Sequence, residues 1–469
     1  MSLTLTNAAP AGAPQPHWFR KKVAWPVSRG EAVSIVQLAW PIVLIALVNM
    51  GMSVTDTMMV SWFFGTEALA AVAVGSDFYS IVFYLGTGVI AGLSPFFARA
   101  VADGSVSGQE KYRRIGWRLT TVIAVLLFPI VWFAPDMLGY AGLDRALLDA
   151  GRGYTRAMAL TLVPMLVVVF FRTLLTAAER PKVFLRVTLV ALPLNALANM
   201  AFMNGFAILP AFGPTGAGIA SLSVAIVMAA LLAIVFRSEI ASGGHRVAPR
   251  EKTDWGAAME VVRVGIPIGI ATVAELGIYL GATLYAATLS AADVAAHTIT
   301  LRLAGVVYAI PLALMQASTV RVARRDDGDH AGVSTVIATS QTIAVLAGIG
   351  LAVGLVAIAP GVASITFDRT DVGITAAGLT VILIALLAAI EFVETPASAA
   401  SGLLRGLKDT RKPMAYVLVG YWLISAPLGV YLSRGLAMGI TGVWIALLLG
   451  ALVVSGLTLA RLRRYRWTT

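Results

Sequence analysis

Ionisable side chains set in apolar sequence are where this chain could do chemistry. Asp56 stands among Met52, Val54, Met58, Met59 and Val60. A carboxylate in such a setting costs about 2.5–3.5 kcal/mol on insertion scales, so its presence asks for a role. It could hydrogen-bond a neighbouring helix in its protonated form, or it could hold a cation or a proton. Asn195 and Asn199 bear on that choice. Four residues apart, their amides share one helix face. With Asp56 they could offer several oxygens to a small hard cation. A second group comprises Glu275, alone in the otherwise uncharged run 265–287, and Glu394, with Glu391 three residues before it and Thr395-Pro396 after it. Residues at that spacing share a face, and Pro396 leaves a backbone carbonyl unpaired, as in the bent helices that line transport sites. Glu275 and Glu394 could share one proton or bind a cation. His297 reads first as a capping or packing histidine and second as an auxiliary to such a site. Asp77 and Arg302 are opposite charges in apolar runs, 225 residues apart.

Other chemistries find little support. There is no cysteine, which excludes disulfides and thiolate metal sites. With four histidines, no nucleophile–base pair and no pair of Asp-rich motifs, an intramembrane enzyme is not expected.

The elements that must carry these residues are membrane helices. The 469 residues are 58% hydrophobic and 13% charged, about half the charged fraction of a soluble domain. About 20 mostly apolar residues cross roughly 30 Å of hydrocarbon as a helix. Runs of that kind predict an all-α membrane protein of twelve helices, at 36–61, 68–97, 115–135, 154–177, 183–204, 214–236, 258–288, 293–318, 333–357, 373–404, 413–433 and 438–460. The net charge of +11 does not point to nucleic acid, because the basic residues recur in every second loop, from Arg20, Lys21 and Lys22 to Arg461, Arg463 and Arg464. That alternation is the positive-inside pattern. It predicts a multi-pass protein of the bacterial cytoplasmic membrane with both termini in the cytoplasm. Met1 to about Gly30 lacks the form of a cleavable signal peptide and reads as a disordered tail.

The chain also repeats itself. Trp40-Pro41-Ile42 is answered by Ile266-Pro267-Ile268, Ala98-Arg99 by Ala323-Arg324, and Thr215-Gly216-Ala217 by Thr441-Gly442-Val443, at offsets of 225 or 226 residues. Asp77 and Arg302 are separated by the same offset. Six helices per copy preserve orientation, so the copies are related by a pseudo-two-fold axis along the membrane normal, with the transport site between or within them. The expected division is a tail over 1–30, an N-lobe over 31–236, a cytoplasmic linker over 237–256 and a C-lobe over 257–469.

Val54-Thr55-Asp56-Thr57, Pro193-Leu194-Asn195 with Asn199, Ala274-Glu275, Ala295-Ala296-His297 and Gly402-Leu403-Leu404-Arg405-Gly406-Leu407-Lys408-Asp409, in this order on twelve helices, resemble the multidrug and toxic compound extrusion family over roughly residues 30–460. The resemblance implies a V-shaped pair of six-helix bundles. It implies antiport of small, often aromatic or cationic compounds against Na+ or H+ by alternating access. It implies no cofactor besides the coupling ion, and a monomer working in the bilayer on small molecules. Ser221 stands where sodium-coupled relatives carry threonine and could add an oxygen to the Asp56 site. Asn199 stands where proton-coupled archaeal relatives carry aspartate. Glu275 and Glu394 match the carboxylates of the family's C-lobe cation site, Glu394 in place of aspartate. The family's tyrosine one turn earlier is Ile390 here. In that architecture the second and eighth helices flank the opening between the lobes, so Asp77 and Arg302 could meet as a gate when the outer side closes. The alternative within the same superfamily is a flippase or exporter of lipid-linked or polymeric substrates.

Overall fold

The computed structural model describes residues 26–206, 210–242, 254–326, 328–367 and 369–465. The tail to residue 25 and the centre of the linker, 243–253, lie outside the described residues. Twelve helices are long and apolar enough to cross a membrane. They are α1 (Arg29–Gly65), α2 (Glu67–Ala102), α3 (Val106–Trp132), α4 (Arg145–Ala177), α5 (Pro181–Asn204), α6 (Thr215–Phe236), α7 (Trp255–Ala286), α8 (Ala291–Ala323), α9 (His330–Thr366), α10 (Asp371–Gly406), α11 (Arg411–Gly435) and α12 (Gly439–Tyr465).

Several helices run beyond the apolar runs that announce them, because caps rather than hydropathy set their ends. Ser28 accepts from the Glu31 amide and starts α1 seven residues ahead of position 36. Asp254 accepts from the Ala257 amide at 3.0 Å and starts α7. Ser290 and Asp293 form a reciprocal capping box at the head of α8. Gly65, at φ 80°, separates α1 from α2, a conformation that glycine adopts without strain.

Several helices carry a proline, a break or a π-helical stretch where the sites lie. Pro193, Pro267 and Pro396 sit inside α5, α7 and α10. Helix α8 breaks at Tyr308, between Ala291–Val307 and Ala309–Ala323. Helix α11 is π-helical over Leu418–Ser425 and again over Tyr431–Gly435.

The two halves meet at the end that carries the basic loops. There α2 crosses α7 through four glycines. A Cβ on Gly265 would lie 2.2 Å from the Val89 carbonyl oxygen, and one on Gly88 would lie 2.3 Å from the Gly269 Cα. Small residues permit this approach, as membrane helix interfaces require. Around the crossing, Glu31 accepts from Arg321 Nε at 2.6 Å and Nη2 at 2.8 Å, and from Arg325 Nη2 at 2.7 Å. Arg321 Nη1 also reaches Glu179 at 2.7 Å. Arg99 donates to the Arg325 carbonyl and pairs with Asp326. Lys111 pairs with Asp254 at 2.6 Å, and that contact holds the exposed Asp254 carboxyl below the usual carboxylate range. Outward-facing apolar side chains such as Leu126, Ile234, Leu346 and Val353 stay exposed, as lipid-facing positions do.

Candidate cation sites within the two lobes

In the first half, the helical spacing brings Asn195 and Asn199 of α5 against Asp56 of α1. Asn199 Nδ2 donates to Asp56 Oδ1 and lies 3.4 Å from Asn195 Oδ1. Asn195 and Ser221 are within hydrogen-bonding reach of the same carboxylate. Both asparagines are buried, and Asn199 Oδ1 has no partner. A buried carbonyl oxygen without a donor is unusual in a native structure. Here it lies beside a carboxylate, an amide and a hydroxyl, a donor set suited to a small hard cation. Tyr154 of α4 was not legible from spacing. It is buried close to both Asp56 and Asp77 and bonds Ser76.

In the second half, Glu275 of α7 and Glu394 of α10 are within hydrogen-bonding reach of each other. Two carboxyls can bond directly only if one keeps its proton, so a shared proton is the natural resident of this pair. Tyr421 Oη donates to Glu394 Oε1 at 3.2 Å, and Tyr308, at the break in α8, approaches Glu275. Tyr421, in the π-helical stretch of α11, thus gives Glu394 a tyrosine partner. Ile390 itself is buried in the apolar core. Trp422 Nε1 donates to the Ala274 carbonyl at 2.9 Å and ties α11 to α7 beside the pair. Glu391 is buried one turn away and accepts from Thr395 Oγ1 at 3.2 Å.

The pair opens on a small cavity of about 50 Å3, lined among others by Glu275, Tyr308, Glu394, Ser401, Arg405 and Tyr421. His297 does not join it. Trp444 Nε1 donates to His297 Nδ1 at 3.1 Å, and His297 Nε2 lies 3.0 Å from Thr283 Oγ1. An indole N–H can only donate, so Nδ1 is unprotonated. The ring is a neutral tie between α7, α8 and α12. Asp77 and Arg302 are exposed, and the structure does not bring them together: no ion pair joins them among the described residues.

Comparison with known proteins adds the wider frame. The MatE family model matches residues 41–201 and again 267–431, one match in each half. A probable multidrug resistance protein NorM of Mesorhizobium japonicum is 31% identical over 447 residues, covering 93% of this chain and 95% of that protein. One of the same name from Rhizobium meliloti is 31% identical over 427 residues, covering 88% and 89%. In fold, the chain is similar to the outward-facing conformation of a multidrug resistance MATE family transporter of the MOP superfamily, at a TM-score of 0.82 and 17% identity, covering 94% of this chain and 99% of that one.

Proposed function

We propose, from the premise that this chain belongs to the MatE family of transporters, that it exports small aromatic or cationic compounds in exchange for Na+ or H+. As a member of that family it is a multi-pass membrane transporter and not an enzyme. The reading is supported above all by two separate constellations of intramembrane carboxylates, Asp56 with Asn195, Asn199 and Ser221, and Glu275 with Glu394. Ionisable groups at that depth are costly and mark ion pathways. Each constellation sits inside one six-helix half rather than at the seam, so ion occupancy can bend α1 or α7 and move one half against the other. Glu391 is a neighbouring charge to the second site. We place the basic loops, both termini and the closed seam on the cytoplasmic side of the bacterial inner membrane, in line with the positive-inside rule. We take the working unit to be a monomer with no cofactor besides the coupling ion.

The test is transport by the purified protein in lipid vesicles, with a sodium gradient or a pH gradient imposed separately. A fluorescent aromatic cation should move against its own gradient under at least one of the two. No gradient-driven movement under either would overturn the assignment.

A further inference from the structure

We propose that the chamber enclosed by α7, α8, α10, α11 and α12 is a proton port between the Glu275–Glu394 pair and the cytoplasm, with Arg405 as the fixed charge that keeps Na+ out of it. The proposal rests on the reading of that pair as a coupling site. The chamber is one-sided. Ser398, Ser401 and Arg405 lie on α10 past Glu394, Thr410 lies at the head of α11, and Ser455 and Thr458 lie toward the end of α12. All belong to the halves of their helices nearest the basic loops. On the other side of the pair, the second half is packed with Ile278, Ala282, Leu383, Leu387 and Ile390, all buried. Water and protons therefore find a cavity in one direction and, in the other, close packing in which Thr380 and Glu391 are buried among the apolar side chains.

Two further atoms require water in the chamber. Thr410 Oγ1 and Ser455 Oγ line it, belong to residues only 4% exposed, and have no hydrogen-bond partner. Buried polar atoms of this kind are normally satisfied by ordered water, and a cavity of about 50 Å3 admits it. A chain of such waters passes a proton without passing an ion.

Arg405 lines the same space within Coulomb range of Glu275 and forms no ion pair with it. The charged and titratable groups facing the pair are Glu275 and Tyr279 on α7, Tyr308 on α8, Glu391 and Arg405 on α10, and Tyr421 on α11. When the shared proton leaves a carboxyl for the chamber water, the carboxylate left behind is balanced by Arg405. A sodium ion entering by the same route would have to pass that guanidinium. In this conformation the seam between the halves is sealed at its cytoplasmic end, while the port reaches the cytoplasm from inside the C-lobe.

The chain has no cysteine, so single cysteines report access without background. In oriented vesicles, Ser401→Cys and Thr458→Cys should react with a small, membrane-impermeant thiol reagent from the cytoplasmic face and not from the outer face. An anionic reagent should react faster than a cationic one of equal size, by about tenfold, because the field of Arg405 concentrates anions. Arg405→Gln should abolish that preference and make proton-driven export about tenfold more sensitive to cytoplasmic Na+. Labelling from the outer face, labelling from neither face, or equal rates for both reagents would overturn the port. Unchanged Na+ sensitivity in Arg405→Gln would overturn the filter. The labelling pattern does not depend on transport. Gradient-driven export that survives Glu275→Gln therefore sinks the coupling reading separately.

Discussion

Asn199 holds one end of a bond it cannot complete alone: its amide nitrogen serves Asp56, while its own buried carbonyl oxygen has no donor. Two outcomes follow at this scale. Asp56→Asn should abolish ion-coupled export while the protein inserts and folds, since the change removes a charge whose burial is costly. A wild-type ion-dependent efflux rate in that variant would remove Asp56 from the mechanism. Asn199→Leu should instead destabilise, by about 1–3 kcal/mol, because it removes one of the donors to a buried carboxylate. A thermal melt in detergent measures that loss. For the second site, Glu275→Gln and Glu394→Gln should each cost nearly what the double variant costs, since groups that share a proton act as one unit. Strictly additive losses in efflux rate would mean they work separately. The charged members of both sites were legible in the sequence because a carboxylate among apolar residues stands out. Tyr154 and Tyr421 were not, because an aromatic residue in a membrane helix carries no such contrast. Ser221 was legible only through resemblance.

The helices were legible for the same reason, as apolar runs, and their ends were not. Capping by Ser28 and Asp254, and the continuation of α2 to Ala102, depend on local hydrogen bonds at the interface rather than on hydropathy. The π-helical turn of α11 ends just ahead of Pro427, and neither that proline nor hydropathy shows that the turn presents Tyr421 to Glu394. The four-glycine crossing of α2 and α7 was equally silent, since the chain has 44 glycines and nothing in their spacing marks these four. Its importance is a matter of distance. At Gly265 even one methyl group meets backbone, at 2.2 Å, whereas Gly281 on the same helix has nothing within 4 Å of the corresponding position. Gly265→Ala should therefore push α7 off α2 and lower the melting temperature, while Gly281→Ala should be close to neutral or slightly stabilising. Equal melting temperatures for the two variants would show that the crossing is looser than its geometry.

Across the whole molecule, what matters is the balance between the two ends of the seam. One end is closed by Glu31, which is 5% exposed and takes three hydrogen bonds from Arg321 and Arg325, with Glu179, Arg99 and Asp326 around them. At the other end Asp77 and Arg302 stand exposed and apart. A contact shifts a conformational equilibrium only by the difference in its strength between the two states. The Glu31 cluster exists in the state seen here and must break when the cytoplasmic side opens. Losing one partner of a buried pair costs about 3–5 kcal/mol, so Glu31→Gln or Arg321→Gln should strongly favour the inward-facing state. Asp77 and Arg302 should act in the opposite sense if they meet when the outer side closes. Removing either charge then deprives the inward-facing state of about 1–3 kcal/mol, a shift of about 5–150-fold toward the outward-facing state. Spin labels placed in pairs across each mouth measure both effects in one protein. In Arg321→Gln the inner distance should lengthen and the outer one shorten. In Asp77→Asn and Arg302→Gln the outer distance should lengthen, and exchanging the two charges should restore part of the balance. If the inner distance is unmoved by Arg321→Gln, the cluster is decoration on a seam held by the glycine crossing alone. If the outer distance is unmoved by Asp77→Asn and Arg302→Gln, the two charges serve the wet cleft separately and never meet.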